Sequence, residues 1–252
     1  MRKYLIEIET TLNSYPKISS SQNPETYIGG GQSKLKYIGL RVPQLQHALK
    51  TGFSFSSKEK EEIAKIWNYV WMTSNCYEVM SLALAWFYDP KQKHILKEHW
   101  PMLEPWSLRI DNWAHSDTLS GIYARIHEES PQRIYEVFKE WSLSKNSWLR
   151  RLSLVSLIYQ SAHRTKFPTV SKIKTILKPQ LEFDDHYVQK GVGWLLRESG
   201  NVYPKEISEF INKNISRISA TAFHAATEKM TIDQRNKLKL SRKEIRKKPR
   251  LL

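Results

Sequence analysis

Three short segments of the chain set aromatic rings beside charged groups at helical spacing. In Asp111-Asn112-Trp113-Ala114-His115-Ser116-Asp117, the indole of Trp113 and the carboxylate of Asp117 stand four residues apart. Positions i and i+4 share a helix face, and an indole there shields the carboxylate and limits its solvation. The same pair also has a structural reading, with Trp113 in the core and Asp117 as a cap or ion-pair partner. His115 falls two residues from each and points away from both.

In Asn146-Ser147-Trp148-Leu149-Arg150-Arg151-Leu152, Asn146 or Ser147 can cap a helix, which leaves Arg150 and Arg151 close to its start. Cations there oppose the helix macrodipole. They serve stability poorly and phosphate binding well, beside amides that also favour an anion. By spacing, at least one of the two is expected to be a solvated surface residue. In Tyr187-Val188-Gln189-Lys190-Gly191-Val192-Gly193-Trp194-Leu195-Leu196-Arg197-Glu198, the residues Lys190, Trp194 and Arg197 fall at i, i+4 and i+7. Two cations around one indole do not make a core face. Gly191 and Gly193 are costly inside a helix; they allow close helix approach or clear space beside Trp194.

The familiar phosphate, dinucleotide and zinc-protease motifs are absent, as is any paired C-x-x-C. No metal site and no cofactor are expected. Forty Lys+Arg against 25 Asp+Glu give a net charge of +15. Such an excess suits a polyanionic partner, which it would steer and hold; the alternative is a merely basic, solvated surface. A single cysteine, Cys76, excludes an internal disulfide and a multi-cysteine metal site. No apolar run reaches the 18 or so residues expected of a membrane span, and the N-terminus lacks a signal-type apolar block. A monomer in the cytoplasm, in a reducing compartment and off the membrane, is the expectation.

These side chains need helices to hold them, and helical periodicity dominates the chain. Residues 2–14 put Tyr4, Leu5, Ile8 and Leu12 on one face. Residues 17–42, with three consecutive glycines, read as a loop followed by an extended stretch before Pro43. Further helices are expected at about 43–50, 58–72, 75–88, 91–99, 110–127, 131–142, 147–163, 168–177, 185–199, 204–213 and 215–228. Pro131, Pro168 and Pro204 sit at helix starts. Short loops between helices of this length predict paired helices stacked in an array with an irregular period of roughly 35 to 45 residues. An irregular helical bundle is the alternative. The expected organisation is one helical-repeat domain over 1–238 and a basic tail without fixed structure over 239–252.

At these three segments the chain resembles the AlkD family of DNA alkylation-repair glycosylases. The matching stretches are D-N-W-A-H-S-D, W-L-R-R-L-S-L and V-Q-K-G-V-G-W-L-L-R-E, in that order. Tyr27, followed by Tyr37-Ile38-Gly39-Leu40-Arg41-Val42-Pro43, resembles the family's N-terminal segment. The likeness extends over about residues 1 to 230. It implies an all-α, C-shaped solenoid of HEAT-like helical repeats whose basic concave face holds double-stranded DNA. It also implies hydrolysis of the glycosidic bond of N3- and N7-alkylated purines without flipping the base into a pocket, unlike the usual extrusion strategy. Residue by residue, Trp113, Asp117 and Trp194 match the catalytic positions. Arg151 matches the phosphate-facing arginine, and Tyr27 and Arg197 match further DNA contacts; Arg150 and Lys190 join them on their placement. Ala114 stands where many members carry an acidic residue. The other readings are a non-catalytic helical-repeat protein that binds DNA of unusual structure, and a protein–protein scaffold with an incidentally basic surface.

Overall fold

In the computed structural model of the protein, which describes residues 1–17, 24–29 and 32–247, the fold is all-α. The helices are α1 (Arg2–Ser14), α2 (Pro24–Gly29), α3 (Val42–Thr51), α4 (Lys60–Thr73), α5 (Tyr77–Tyr88), α6 (Trp100–Leu103), α7 (Trp113–Glu129), α8 (Pro131–Trp141), α9 (Ser147–Leu157), α10 (Val170–Leu177), α11 (His186–Val202), α12 (Pro204–Lys213), α13 (Ala220–Ala226) and α14 (Ile232–Lys247). Among the described residues no helix is long and apolar enough to cross a membrane. The chain forms two compact units, Met1–Ile122 and Tyr123–Leu252.

The first unit is built around aromatic residues. Trp67 packs edge-on against Phe53 and Phe55, and Trp71 stacks on Trp106 at 4.8 Å between ring centres. The extended stretch before Pro43 is real and short. Lys36 donates its amide to Asn75 and accepts from Tyr77. Next to it, the buried carboxylate of Glu78 accepts the amides of Ile38, Gly39 and Leu40 at 2.8–3.2 Å. Three amides on one carboxylate replace the pairing that a sheet would give this stretch.

The second unit centres on α11, which packs against α9, α12 and α13. Local sequence fixes the starts of its helices. Pro131 and Pro204 occupy the first turns of α8 and α12. Side chains of Asn146, Thr169, Asp185 and Ser219 accept amides at the starts of α9, α10, α11 and α13.

Several expectations change. The stretch expected as loop and extended chain over 17–42 holds the short helix α2 at Pro24–Gly29, and the helix expected over 215–228 forms only at Ala220–Ala226. The helix expected over 91–99 is a 3₁₀ turn over Pro90–Ile95 followed by the short α6; Pro101 has no amide to donate to the carbonyl four residues before it, which bars one continuous α-helix through this stretch. The helix expected over 147–163 stops at Leu157. There Arg164 donates to the carbonyls of Ser156 and Leu157, and the amide of Ser161 turns to Glu198. The basic segment from 239, expected to lack fixed structure, continues α14 as far as Lys247; residues 248–252 lie outside the described residues. Leu238 is buried, and Arg242 donates to Ile218 O at 2.7 Å. Those anchors hold the helix where composition alone would leave it loose.

Candidate functional site

In the first unit, α7 presents the Trp113–Asp117 pair. Asn112 caps the helix: its side-chain oxygen accepts the amide of His115 at 2.9 Å. Asp117 lies in the second turn, so the capping role is filled by Asn112 instead. His115 is buried beneath the first turn, stacked on Tyr77 at 4.5 Å and hydrogen-bonded between Nε2 and Ser81 Oγ at 2.9 Å. Burial lowers its pKa to about 4, against a smaller opposing pull from its hydrogen bond to the Tyr77 carbonyl, so the imidazole is neutral at neutral pH. Asp111 accepts Ser33 Oγ at 3.0 Å and the Lys34 amide at 2.8 Å, which ties the incoming chain to the start of α7.

On this base both Trp113 and Asp117 are half-buried, one turn apart. Tyr27, 56% exposed, stands edge-on to Trp113 at 5.6 Å, and the indole N–H of Trp113 donates to the Tyr27 carbonyl at 2.8 Å. The indole is therefore held in place with part of its surface open. Five of the nine tryptophans, Trp67, Trp71, Trp100, Trp106 and Trp141, are buried in the cores. The four left partly open, Trp86, Trp113, Trp148 and Trp194, include every tryptophan of the three motifs.

In the second unit the cations divide. Arg151 is 4% exposed and donates to Tyr187 O at 2.6 Å, joining α9 to α11. Arg150 donates to the carbonyls of Ser142 and Ser144 and to Gln180, with its guanidinium 4.0 Å from the Phe183 ring centre. The expected solvated arginine is thus not among them. Both guanidiniums meet acceptors of the protein itself: the loop before α9 leaves carbonyls that need donors, and Arg151 adds a donor to the Tyr187 carbonyl in the first turn of α11.

On α11, Lys190 is exposed, and Trp194 and Arg197 are half-buried. The Arg197 guanidinium lies 6.0 Å from the Trp194 ring centre and pairs with Glu228 and with Glu198. Burial pushes the Glu198 carboxyl up, but the Ser161 hydroxyl and amide, Arg197 and Lys229 outweigh it and hold the carboxyl below the ordinary value. Among the described residues the buried indole N–H of Trp194 meets no hydrogen-bond partner, and its ring packs against Tyr159 at 5.4 Å. The two glycines serve close approach. A Cβ on Gly193 would fall 2.5 Å from Ala225 Cβ and 2.6 Å from Ala222 O, and one on Gly191 would meet Leu154 at 3.3 Å.

Sequence reasoning overlooked Asn112, His115 and Glu78 as positioning residues. The Asn three residues before His115 was a legible cap signal. Glu78 carried none, because the amides it accepts lie 38 to 40 residues away.

Residues 11–230 match a family model described as DNA alkylation repair enzyme. No curated protein sequence matches. Among solved structures, one described as a predicted DNA alkylation repair enzyme from Enterococcus faecalis superposes with a TM-score of 0.60 at 15% identity, covering 86% of this chain and 100% of that one. AlkD2 from Streptococcus mutans gives 0.55 at 16% identity, covering 90% and 98%. A third, smu.31 from Streptococcus mutans UA159, gives 0.51 at 18% identity, covering 75% and 91%. At these identities the likeness to solved structures is one of fold.

Proposed function

The chain belongs to the DNA alkylation repair enzyme family, and from that premise we propose that it is a DNA glycosylase hydrolysing the N-glycosidic bond of N3- and N7-alkylated purines in duplex DNA without base flipping. The observation that carries this reading is the Trp113–Asp117 pair. An indole and a carboxylate share one face of a helix, both are partly open, and both rest on a capped and neutral first turn.

An alkylated purine carries a positive charge and leaves without needing protonation. As the bond from C1′ to the base nitrogen breaks, its electron pair neutralises the purine and the sugar becomes oxocarbenium-like. The Asp117 carboxylate stabilises that cation and orients the water whose oxygen adds to C1′; the proton that the water loses passes to the carboxylate and then to solvent. The faces of Trp113 and Trp194 are proposed as aromatic contacts to the DNA, each able to stabilise cationic character. Tyr27 and Lys190 are proposed as DNA contacts. Arg150, Arg151 and Arg197 support the reading less, since each already serves carbonyls or carboxylates of the protein.

Release of 3-methyladenine and 7-methylguanine from methylated duplex by the purified protein tests the proposal. A second reading, a non-catalytic protein that binds DNA of unusual structure, is favoured by Ala114, an uncharged residue directly after Trp113. Tight binding to DNA without release of either base would select it.

A further inference from the structure

Residues 232–247 lie beyond the part of the chain that matches the family, which ends at residue 230. The helix they form, α14, carries seven Lys/Arg against two acidic residues. A basic helix is ordinarily a solvated face, but two observations set this one apart. First, α14 is clamped to the ends of α13 by its arginines. Arg235 donates to the carbonyls of Thr227 and Glu228 at 2.7–3.1 Å, after the last turn of α13. Arg242, 7% exposed, donates to Ile218 O and lies 4.8 Å from the Phe223 ring centre, at the first turn. Second, with both arginines so used, Lys239 and Lys243 stand four residues apart and exposed, as does His224 on α13. Together with Phe223 and the two arginines they line a cleft of about 560 Å³ between the two helices. Two lysines at that spacing repel each other on a helix, so local stability does not explain them.

We propose that this cleft is an accessory seat for the phosphodiester backbone of duplex DNA, a proposal that rests on the reading of the protein as DNA-binding. At a rise of about 1.5 Å per residue, Lys239 and Lys243 lie roughly 6 Å apart along the helix axis. Phosphates of one strand recur about every 3.4 Å along the duplex, so the pair can address alternate phosphates. Lysine ammonium groups act on phosphate as point charges and carry no base information. The cleft therefore adds affinity and salt dependence but no preference among lesions. An anionic bilayer would also attract these lysines, but it is flat, and a cleft between two helices with lysines along it meets a ridge of phosphates better.

The test compares the full chain with K239Q/K243Q for binding to an undamaged duplex across a range of salt concentrations, with a melting curve to establish that the variant is folded. Each phosphate contact contributes about 0.9 to the slope of log affinity against log salt. The double variant should lose about 1.8 of that slope and roughly 60-fold in affinity near 0.1 M salt, and K239R/K243R should restore both. A variant with wild-type slope and affinity, beside a wild type that binds steeply, overturns the seat and leaves the DNA reading standing. A wild type that binds no DNA overturns both. Binding to phosphatidylserine vesicles that the double variant abolishes, with DNA binding unchanged, overturns the seat in favour of a membrane surface.

Discussion

Beneath Trp113 the first turn of α7 is held by a neutral amide and a neutral imidazole; around Trp194 the supporting groups are ions matched with ions. Asn112 and His115 hold the first turn of α7 with neutral hydrogen bonds, and burial keeps the imidazole unprotonated. On α11 the cation beside the indole is committed to Glu198 and Glu228, with Lys229 3.8 Å from Glu198. A neutral cap holds the first turn of a helix without committing an ion pair to it. An ion network instead spends its charges on holding α11, the Ser161 turn and Glu228 together, and breaking one partner of such a network leaves the other unmatched. On the proposed reading, chemistry falls first to the Trp113–Asp117 face and architecture first to the Gly191–Glu198 face.

The sharpest way to break that assignment is Asp117→Asn, which keeps size and hydrogen bonding but removes the charge. Single-turnover release of a methylated purine should fall on the order of 10²–10³-fold, with DNA affinity and melting temperature close to wild type, since the lost interaction belongs to the transition state. A folded variant with full excision would take Asp117 out of the mechanism.

Acid should test the neutral brace. The pKa of His115 is lowered from 6.5 to about 4 by burial. That of His127 is lowered to about 3, by burial first and then by the charges of Arg164 and Lys172. Both folded values lie below the unfolded one, so the unfolded chain binds more protons in the interval. Stability then falls as pH drops from about 6.5 toward 4 at His115 and toward 3 at His127. For His115 the loss by pH 4 is about 3 kcal/mol. Denaturant unfolding at pH 7, 5.5 and 4.5 reads it, and His115→Gln should shallow the dependence; a flat profile in the wild type would refute the assignment.

Next in size is the packing of α11. Gly193→Ala forces a methyl against the α13 backbone at 2.6 Å and should cost about 1–3 kcal/mol. Gly191→Ala meets the flexible end of Leu154 at 3.3 Å, with its other neighbours at ordinary contact distances of 3.6 and 3.7 Å, and gains helix propensity, so its melting temperature should stay within a few degrees of wild type. Equal losses in the two would deny that Gly193 is there for close approach. The smallest expected effect is Asn112→Ala, which removes a cap worth about 1 kcal/mol and should lower the melting temperature by about 2–4 °C without altering the salt dependence of DNA binding.

Much of the fold was legible in the residues themselves. Apolar spacing marked α1, α4 and α5. Pro131 and Pro204 marked helix starts, and Asn146 capped α9 as read. The ordered motifs identified the family that the whole-chain match bears out. These signals are short-range: a cap, a first-turn proline and an i, i+4 pair are all complete within one or two turns.

What the residues alone left open depended on partners distant in the chain. Arg151 finds its acceptor 36 residues away, Arg150 finds Gln180 at 30, and Arg242 reaches back 24 to the carbonyl of Ile218. Each arginine looks the same in sequence whether it will face solvent, phosphate or a buried carbonyl. Which tryptophans stay partly open was likewise settled by packing, since an indole suits a core and a binding face equally. Helical period, capping and net charge were fixed by the sequence because they need only neighbours. The use of each cation and each ring was decided by the tertiary structure, because unsatisfied carbonyls and close helix contacts exist only once the chain has been brought back on itself.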